Sequence, residues 1–160
     1  MTRRRSHFRR ALVIPFILIL ALAPHLPASV SDEQRLLETG AAPKLAHPPP
    51  SPDSIKIVSY NIRWRGGDDL RRLIQLLKAD PEIGGAAVIG LQEVDRNKKR
   101  TGNVNTARLM AEELGMYYAW AAPPPPPAKN NEAQEEETGV TILSAYPLTD
   151  VKRLVLPYER

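Results

Sequence analysis

The sequence predicts an α/β fold, and three consecutive segments support this prediction. Residues 55–62 form an apolar-rich run typical of a strand. Residues 68–78 place leucines and an isoleucine at helical spacing, which predicts an amphipathic helix. The nearly continuous apolar run 86–91 then predicts a parallel strand that is covered on both faces. In a strand–helix–strand unit of this kind, both strands end at the same edge of the sheet.

Two polar side chains are expected at that edge. Asn61 closes the first predicted strand, and Glu93 follows the second. Because the carboxyl ends of parallel strands meet at one edge, we expect the two side chains to lie close together. Their amide and carboxylate oxygens are hard donors that suit a cation such as magnesium. The sequence therefore predicts a divalent-cation site that contains Asn61 and Glu93.

Further elements follow along the chain. A helix is predicted over 106–114, with Asn105 or Thr106 capping its start and Gly115 its end. Asp68 is the predicted cap of the earlier helix. Strands are predicted over 116–121, 139–145 and 151–156, and a proline-rich and then acidic loop over 123–138.

The first part of the chain predicts an export signal and a linker rather than part of the folded domain. Residues 1–28 resemble a signal peptide or signal anchor, with an arginine-rich start and an apolar stretch over 11–23 that is short for a membrane span. Residues 29–54 are rich in proline and predict a linker without regular structure. The globular domain is predicted over 55–160. An exported protein, periplasmic or extracellular, is expected, or a membrane-anchored one if 11–23 is not removed.

Composition narrows the classes of function. The chain has 160 residues, 22 Lys and Arg against 18 Asp and Glu, and a net charge of +4. Five of these arginines lie in the leader, and without them 17 basic residues face 18 acidic ones. The basic balance therefore does not indicate nucleic-acid binding. The absence of cysteine excludes disulfides, thiolate nucleophiles and Cys-bound zinc.

Four segments, in this order, carry a resemblance to a known family. They are SYNI at 59–62, GLQEVD at 90–95, NTARLMAEELG at 105–115 and GVTILSAYP at 139–147. Together they resemble the endonuclease/exonuclease/phosphatase family of metal-dependent hydrolases. The resemblance implies a four-layer α/β sandwich, of which 55–160 would supply the N-terminal half. It also implies Mg²⁺ or Mn²⁺ as cofactor and a phosphodiester or phosphomonoester as substrate.

The resemblance assigns roles to two residues, and position along the chain suggests roles for four others. Glu93 matches the glutamate that binds the cation, and Asn61 matches the asparagine that places the metal or the scissile phosphate. Arg100 follows this edge and is a candidate contact for the substrate, which would be nucleic acid, a phospholipid headgroup or a sugar phosphate. Trp64 either lines the mouth of the site or packs. Gln92 and Asp95 are expected to serve surrounding hydrogen bonds and the surface.

The histidine–aspartate segments of the family's second half have no counterpart here. The histidines are His7, His25 and His47, so the sequence from Ile55 onward contains no imidazole for general base catalysis. We therefore expect a truncated hydrolase with little or no activity. The alternative is a non-catalytic exported pseudoenzyme or a partner-binding fragment. A Rossmann-type nucleotide-binding module is disfavoured, because residues 63–67 lack the required glycine spacing.

Overall fold

The computed structural model describes residues 35–46, 53–124 and 137–156. Within these ranges the chain forms one five-stranded sheet and two α-helices. The elements are β1 Leu37–Ala41, β2 Ile57–Asn61, α1 Gly67–Ala79, β3 Val88–Arg96, a 3₁₀ helix Lys99–Thr101, α2 Thr106–Leu114, β4 Tyr117–Ala121 and β5 Glu137–Ser144. The predicted mixed α/β class is thus confirmed.

The strand order is β1-β4-β5-β3-β2. The strands β2 and β3 run parallel, with α1 between them in sequence, and the other neighbouring pairs are antiparallel. In the parallel pair Asn61 lies opposite Gln92. The predicted strand–helix–strand unit therefore forms, and it brings the end of β2 beside the stretch of β3 that contains Glu93.

The helices cover one face of the sheet. The helix α1 buries its apolar stripe, and α2 packs beside it against the sheet. The buried residues from these helices and strands include Leu70, Leu73, Ile74, Leu77, Met110, Ile89, Leu91, Tyr118, Trp120 and Leu143. On the opposite face Ile57, Val140 and Ile142 are largely exposed, because alternate side chains of a strand point to opposite sides.

The helix ends match the sequence in two of three places. Asn105 caps α2, because its side chain accepts a hydrogen bond from the backbone N–H of Arg108. Gly115 ends α2 with a φ of 66°, a conformation that glycine adopts without steric cost. The prediction for α1 was wrong: Gly66 is the cap residue, and Asp68 lies in the first turn, where its charge favours the helix dipole.

The structure differs from the predicted secondary structure in two segments. The linker predicted over 29–54 contains β1, which pairs with β4 from Leu37 opposite Ala121 to Ala41 opposite Tyr117. The strand predicted over 151–156 does not form, although Arg153 Nε donates to the carbonyl of Ala122 at 2.7 Å. The alternation there is apolar enough for a strand, but no ladder partner meets it among the described residues.

The predicted signal segment and most of the acidic loop lie outside the described residues. No helix within 35–46, 53–124 or 137–156 combines the length and the apolar character needed to cross a bilayer.

Glu38 fixes β1 to the rest of the domain. Its Oε1 accepts hydrogen bonds from Tyr118 Oη at 2.6 Å and from Arg108 Nη2 at 2.7 Å, and its Oε2 accepts from Arg96 Nη1 at 3.1 Å. Partial burial opposes ionisation, but these donors outweigh it and lower the pKa of Glu38. A charged residue that the sequence placed in a linker therefore anchors the edge strand.

Replacing Glu38 with glutamine is expected to lower the free energy of unfolding by about 2 kcal/mol. The amide would lose charge-assisted hydrogen bonds from Arg96 and Arg108 and would turn an N–H₂ group toward other donors. Urea unfolding at neutral pH measures the change. Glu112→Gln, an exposed substitution on α2, is the control. Equal stability of the two variants would contradict the anchoring role.

Candidate metal and phosphate site

Asn61 and Glu93 lie in direct contact. Asn61 Nδ2 donates a hydrogen bond to Glu93 Oε1 at 2.7 Å. Asn61 Oδ1 accepts from the backbone N–H of Arg63 at 2.9 Å, which fixes the amide group in this orientation. The structure thus brings together the two side chains that the sequence selected, at the expected edge of the sheet.

A β-bulge presents Glu93. The sequence predicted Glu93 after the strand, but β3 continues to Arg96 and the irregularity falls inside it. The pairing of β3 with β5 shifts between Leu91 and Val94, so the β3 stretch holds one residue more than the facing part of β5. Glu93 has a φ of 57°, which is strained for a residue other than glycine. Such strain persists only where the surrounding contacts impose it, and it concentrates at functional sites.

The turn after β2 is also strained. Arg63 and Trp64 both have positive φ, at 46° and 58°. Trp64 is half-exposed, and the Arg100 guanidinium lies 4.3 Å from the centre of its ring. This cation–π contact joins the turn after β2 to the 3₁₀ helix after β3. Trp64 therefore packs against Arg100 and also remains open to solvent.

Arg100 is held by a buried carboxylate. Its Nε and Nη2 donate to the two oxygens of Asp95 at 2.7 and 2.8 Å, and Thr138 Oγ1 donates to Asp95 Oδ1 at 2.7 Å. Burial opposes ionisation of Asp95, but hydrogen bonds from Arg100 and Thr138 outweigh it and lower its pKa. The expected hydrogen-bonding role of Asp95 is confirmed, but its expected place on the surface was wrong, since it is fully buried.

The sequence did not reveal several neighbours of the site. Thr138 lay in the predicted acidic loop, and nothing in its surroundings indicated a contact with Asp95. Gly139 on the facing strand β5 gave one visible signal, because a glycine within a strand often marks a close approach of a neighbouring backbone, here that of Ala121. Gln92 Nε2 donates to Ser59 Oγ at 3.3 Å, which agrees with the hydrogen-bonding role expected of Gln92.

The donor set fits a hard divalent cation bound through one carboxylate. Glu93 Oε1 accepts a hydrogen bond from Asn61 Nδ2, whereas Oε2 accepts none from the described residues. Within the described ranges no group of three or more His, Cys, Asp or Glu side chains could enclose an ion. Magnesium commonly binds through one or two carboxylates while keeping waters and phosphate oxygens as its other ligands. The arrangement fits that mode and not an all-protein cage.

Replacing Asn61 with aspartate is expected to make stability depend on the cation. A second carboxylate would face Glu93 at hydrogen-bond distance and would lose the donor that now contacts Oε1. Without metal, we expect a drop of about 2 kcal/mol in the free energy of unfolding. Thermal unfolding in EDTA and in Mn²⁺ measures the effect, and the variant should gain more from Mn²⁺ than the wild type does. An equal gain would contradict a cation beside Asn61.

Comparison with known protein families confirms the family resemblance of the sequence. Residues 58–159 match the model of the Endonuclease/Exonuclease/phosphatase family, and this matched segment covers more than half of the chain. The match begins in β2 and includes Asn61, α1, Glu93 and β5. Neither a curated protein nor a solved structure gives a significant match. The chain belongs to the endonuclease/exonuclease/phosphatase family.

Proposed function

We propose that this protein is a divalent-metal-dependent phosphoester hydrolase, with Asn61 and Glu93 at the reaction centre. Family membership supports the hydrolase class, since members are generally metal-dependent phosphoester hydrolases. The observation that carries the assignment of residues is the 2.7 Å contact between Asn61 Nδ2 and Glu93 Oε1 at the end of β2.

Glu93 would hold the cation, Mg²⁺ or Mn²⁺, through its carboxylate. When bound there, the cation supplies positive charge that offsets the phosphate and the charge that develops in the transition state. The bulge keeps the Glu93 carboxylate beside Asn61, so little reorganisation is needed when a ligand arrives. A glutamate on a regular strand would lack this fixed backbone orientation.

Asn61 would orient the phosphate group. Its amide is neutral, so it can donate a hydrogen bond to a phosphate oxygen without adding negative charge beside an anionic substrate. The backbone N–H of Arg63 fixes the amide from the other side at 2.9 Å. The in-line attack of water on phosphorus is the reaction that this placement serves.

Arg100 stays a proposed substrate contact. Its guanidinium is engaged by Asp95 and Thr138, and its side chain remains 41% exposed. The guanidinium lies 4.3 Å from the centre of the Trp64 ring, in the turn that follows β2. An arginine fixed by a buried carboxylate loses less entropy on meeting a phosphate oxygen than a free side chain does.

Hydrolysis of an aryl phosphodiester tests the proposed function. We expect at most slow hydrolysis by the full chain in Mn²⁺, because the sequence from Ile55 onward supplies no histidine base. EDTA and Glu93→Ala should each abolish it, whereas Glu112→Ala should not. Turnover that survives Glu93→Ala, or that persists in EDTA, would contradict the proposal. Export of the chain, or its anchoring through 11–23, stays a separate prediction.

A further inference from the structure

We propose that Trp120 is a positioning residue, which holds the β3 backbone so that Glu93 faces Asn61. The inference rests on the proposed role of Glu93 as the metal-binding residue. It starts from one hydrogen bond in the core: Trp120 Nε1 donates to the carbonyl of Val94 at 3.1 Å.

This hydrogen bond crosses an intervening strand. Trp120 lies on β4 and Val94 on β3, and β5 runs between them. The indole passes over Gly139 of β5, where an added Cβ would lie 3.0 Å from Trp120 Cε2 and would also collide with the carbonyl oxygen of Ala121. Only a glycine at 139 leaves room for the ring to reach β3. The glycine at 139 and the contact of Trp120 with β3 therefore have the same physical origin.

The contact falls directly after the bulge. Val94 follows Glu93, and the ladder to β5 resumes at the pair Val94 and Gly139. The Arg96 guanidinium lies 4.0 Å from the centre of the Trp120 ring, so the indole holds β3 at two points beyond the bulge.

The other side of the bulge is held as well. The carbonyl of Gln92 accepts from the N–H of Ile62 at 3.1 Å. Glu93 therefore lies between two fixed segments of β3, which impose its positive φ. A strained conformation of this kind relaxes when its restraints are removed.

An ordinary core role would explain the burial of Trp120 but not the direction of its N–H group. Trp120 is fully buried, and any large apolar side chain could fill much of the same space. A buried indole N–H needs an acceptor, and here the acceptor is the carbonyl next to Glu93. The two roles differ in what happens to Glu93 when the donor alone is removed.

Trp120→Phe separates them, because it keeps an aromatic ring and removes the N–H donor. We expect the affinity for Mn²⁺ to fall about tenfold, as when partners that orient a metal ligand are lost. Tyr118→Phe is the matched control, since it removes two part-buried hydrogen bonds from the same strand, one donated to Glu38 and one accepted from Arg108. Both variants should lose stability, but only Trp120→Phe should lose affinity. Equal affinities in the two variants would overturn the proposal.

The side-chain amide resonance of Asn61 tests the positioning without any metal. In the wild type it should carry the shift of a hydrogen-bonded amide, which Glu93→Gln should alter. Trp120→Phe should alter it as well, and Tyr118→Phe should not. If the wild type bound no Mn²⁺ but Trp120→Phe still altered this resonance, the proposed function would fail and the positioning would stand. An unchanged resonance in Trp120→Phe would overturn the positioning.

A closer isostere covers the case in which Trp120→Phe does not fold. Benzothienylalanine at position 120 keeps the bicyclic shape and replaces the N–H with sulfur. The same fall in Mn²⁺ affinity and the same change in the Asn61 resonance are expected. Wild-type values for both in the folded isostere would overturn the proposal.

Discussion

Glu93→Gln is expected to lower the affinity for Mn²⁺ roughly 100-fold, which equals about 2.7 kcal/mol of binding free energy. Glutamine keeps the length of the side chain and an oxygen that can accept from Asn61 Nδ2. It removes the negative charge, which is the main attraction for a hard cation. Isothermal titration calorimetry at neutral pH measures the difference.

The control is Glu112→Gln, the same change of charge on an exposed face of α2. It should bind Mn²⁺ as the wild type does. Because the change at Glu93 removes no hydrogen-bond acceptor needed by Asn61, its stability in EDTA should stay within about 1 kcal/mol of the wild type. A similar loss of affinity in both variants would mean that net charge, and not Glu93, determines binding.

Arg100→Ala is expected to lower the free energy of unfolding by about 3 kcal/mol at neutral pH. The substitution removes the guanidinium that pairs with Asp95. The fully buried Asp95 carboxylate then keeps only the hydrogen bond from Thr138. The partial exposure of Arg100 does not relieve this cost, because the group left behind is the buried one. Urea unfolding of the two proteins measures the difference.

The loss should also depend on pH. The pKa of Asp95 is lowered in the folded state, so its stabilisation is present above its ordinary pKa, near 4, and is lost as the pH falls through the lowered value. The difference between the wild type and Arg100→Ala should therefore shrink between pH 7 and pH 3. Adding Asp95→Asn to Arg100→Ala should recover part of the stability at pH 7. A difference that does not change with pH would contradict the ion-pair explanation.

Local patterns predicted most of the fold around the site. The helical spacing of Leu70, Leu73 and Ile74 gave α1, and the apolar run before Gln92 gave the parallel strand. These elements follow from local periodicity and from the rule that links parallel strands, so sequence reasoning reached them. The contact between Asn61 and Glu93 then followed from topology.

The parts that sequence reasoning missed depend on contacts between residues far apart in the chain. The strand β1 forms because Glu38 meets Arg96, Arg108 and Tyr118, and a proline-rich context concealed it. The proposed support of the bulge at Glu93 comes from a ring that reaches over Gly139 from another strand. No pattern within a window of ten residues records such contacts, so the backbone strain at Glu93 could not be predicted.

An anomalous-scattering map from a crystal soaked in Mn²⁺ tests the central claim most directly. A peak within about 2.5 Å of a Glu93 carboxylate oxygen, next to the Asn61 amide, is the expected result. A peak at other carboxylates with none at Glu93, or no peak at Mn²⁺ concentrations that support turnover, would contradict the account.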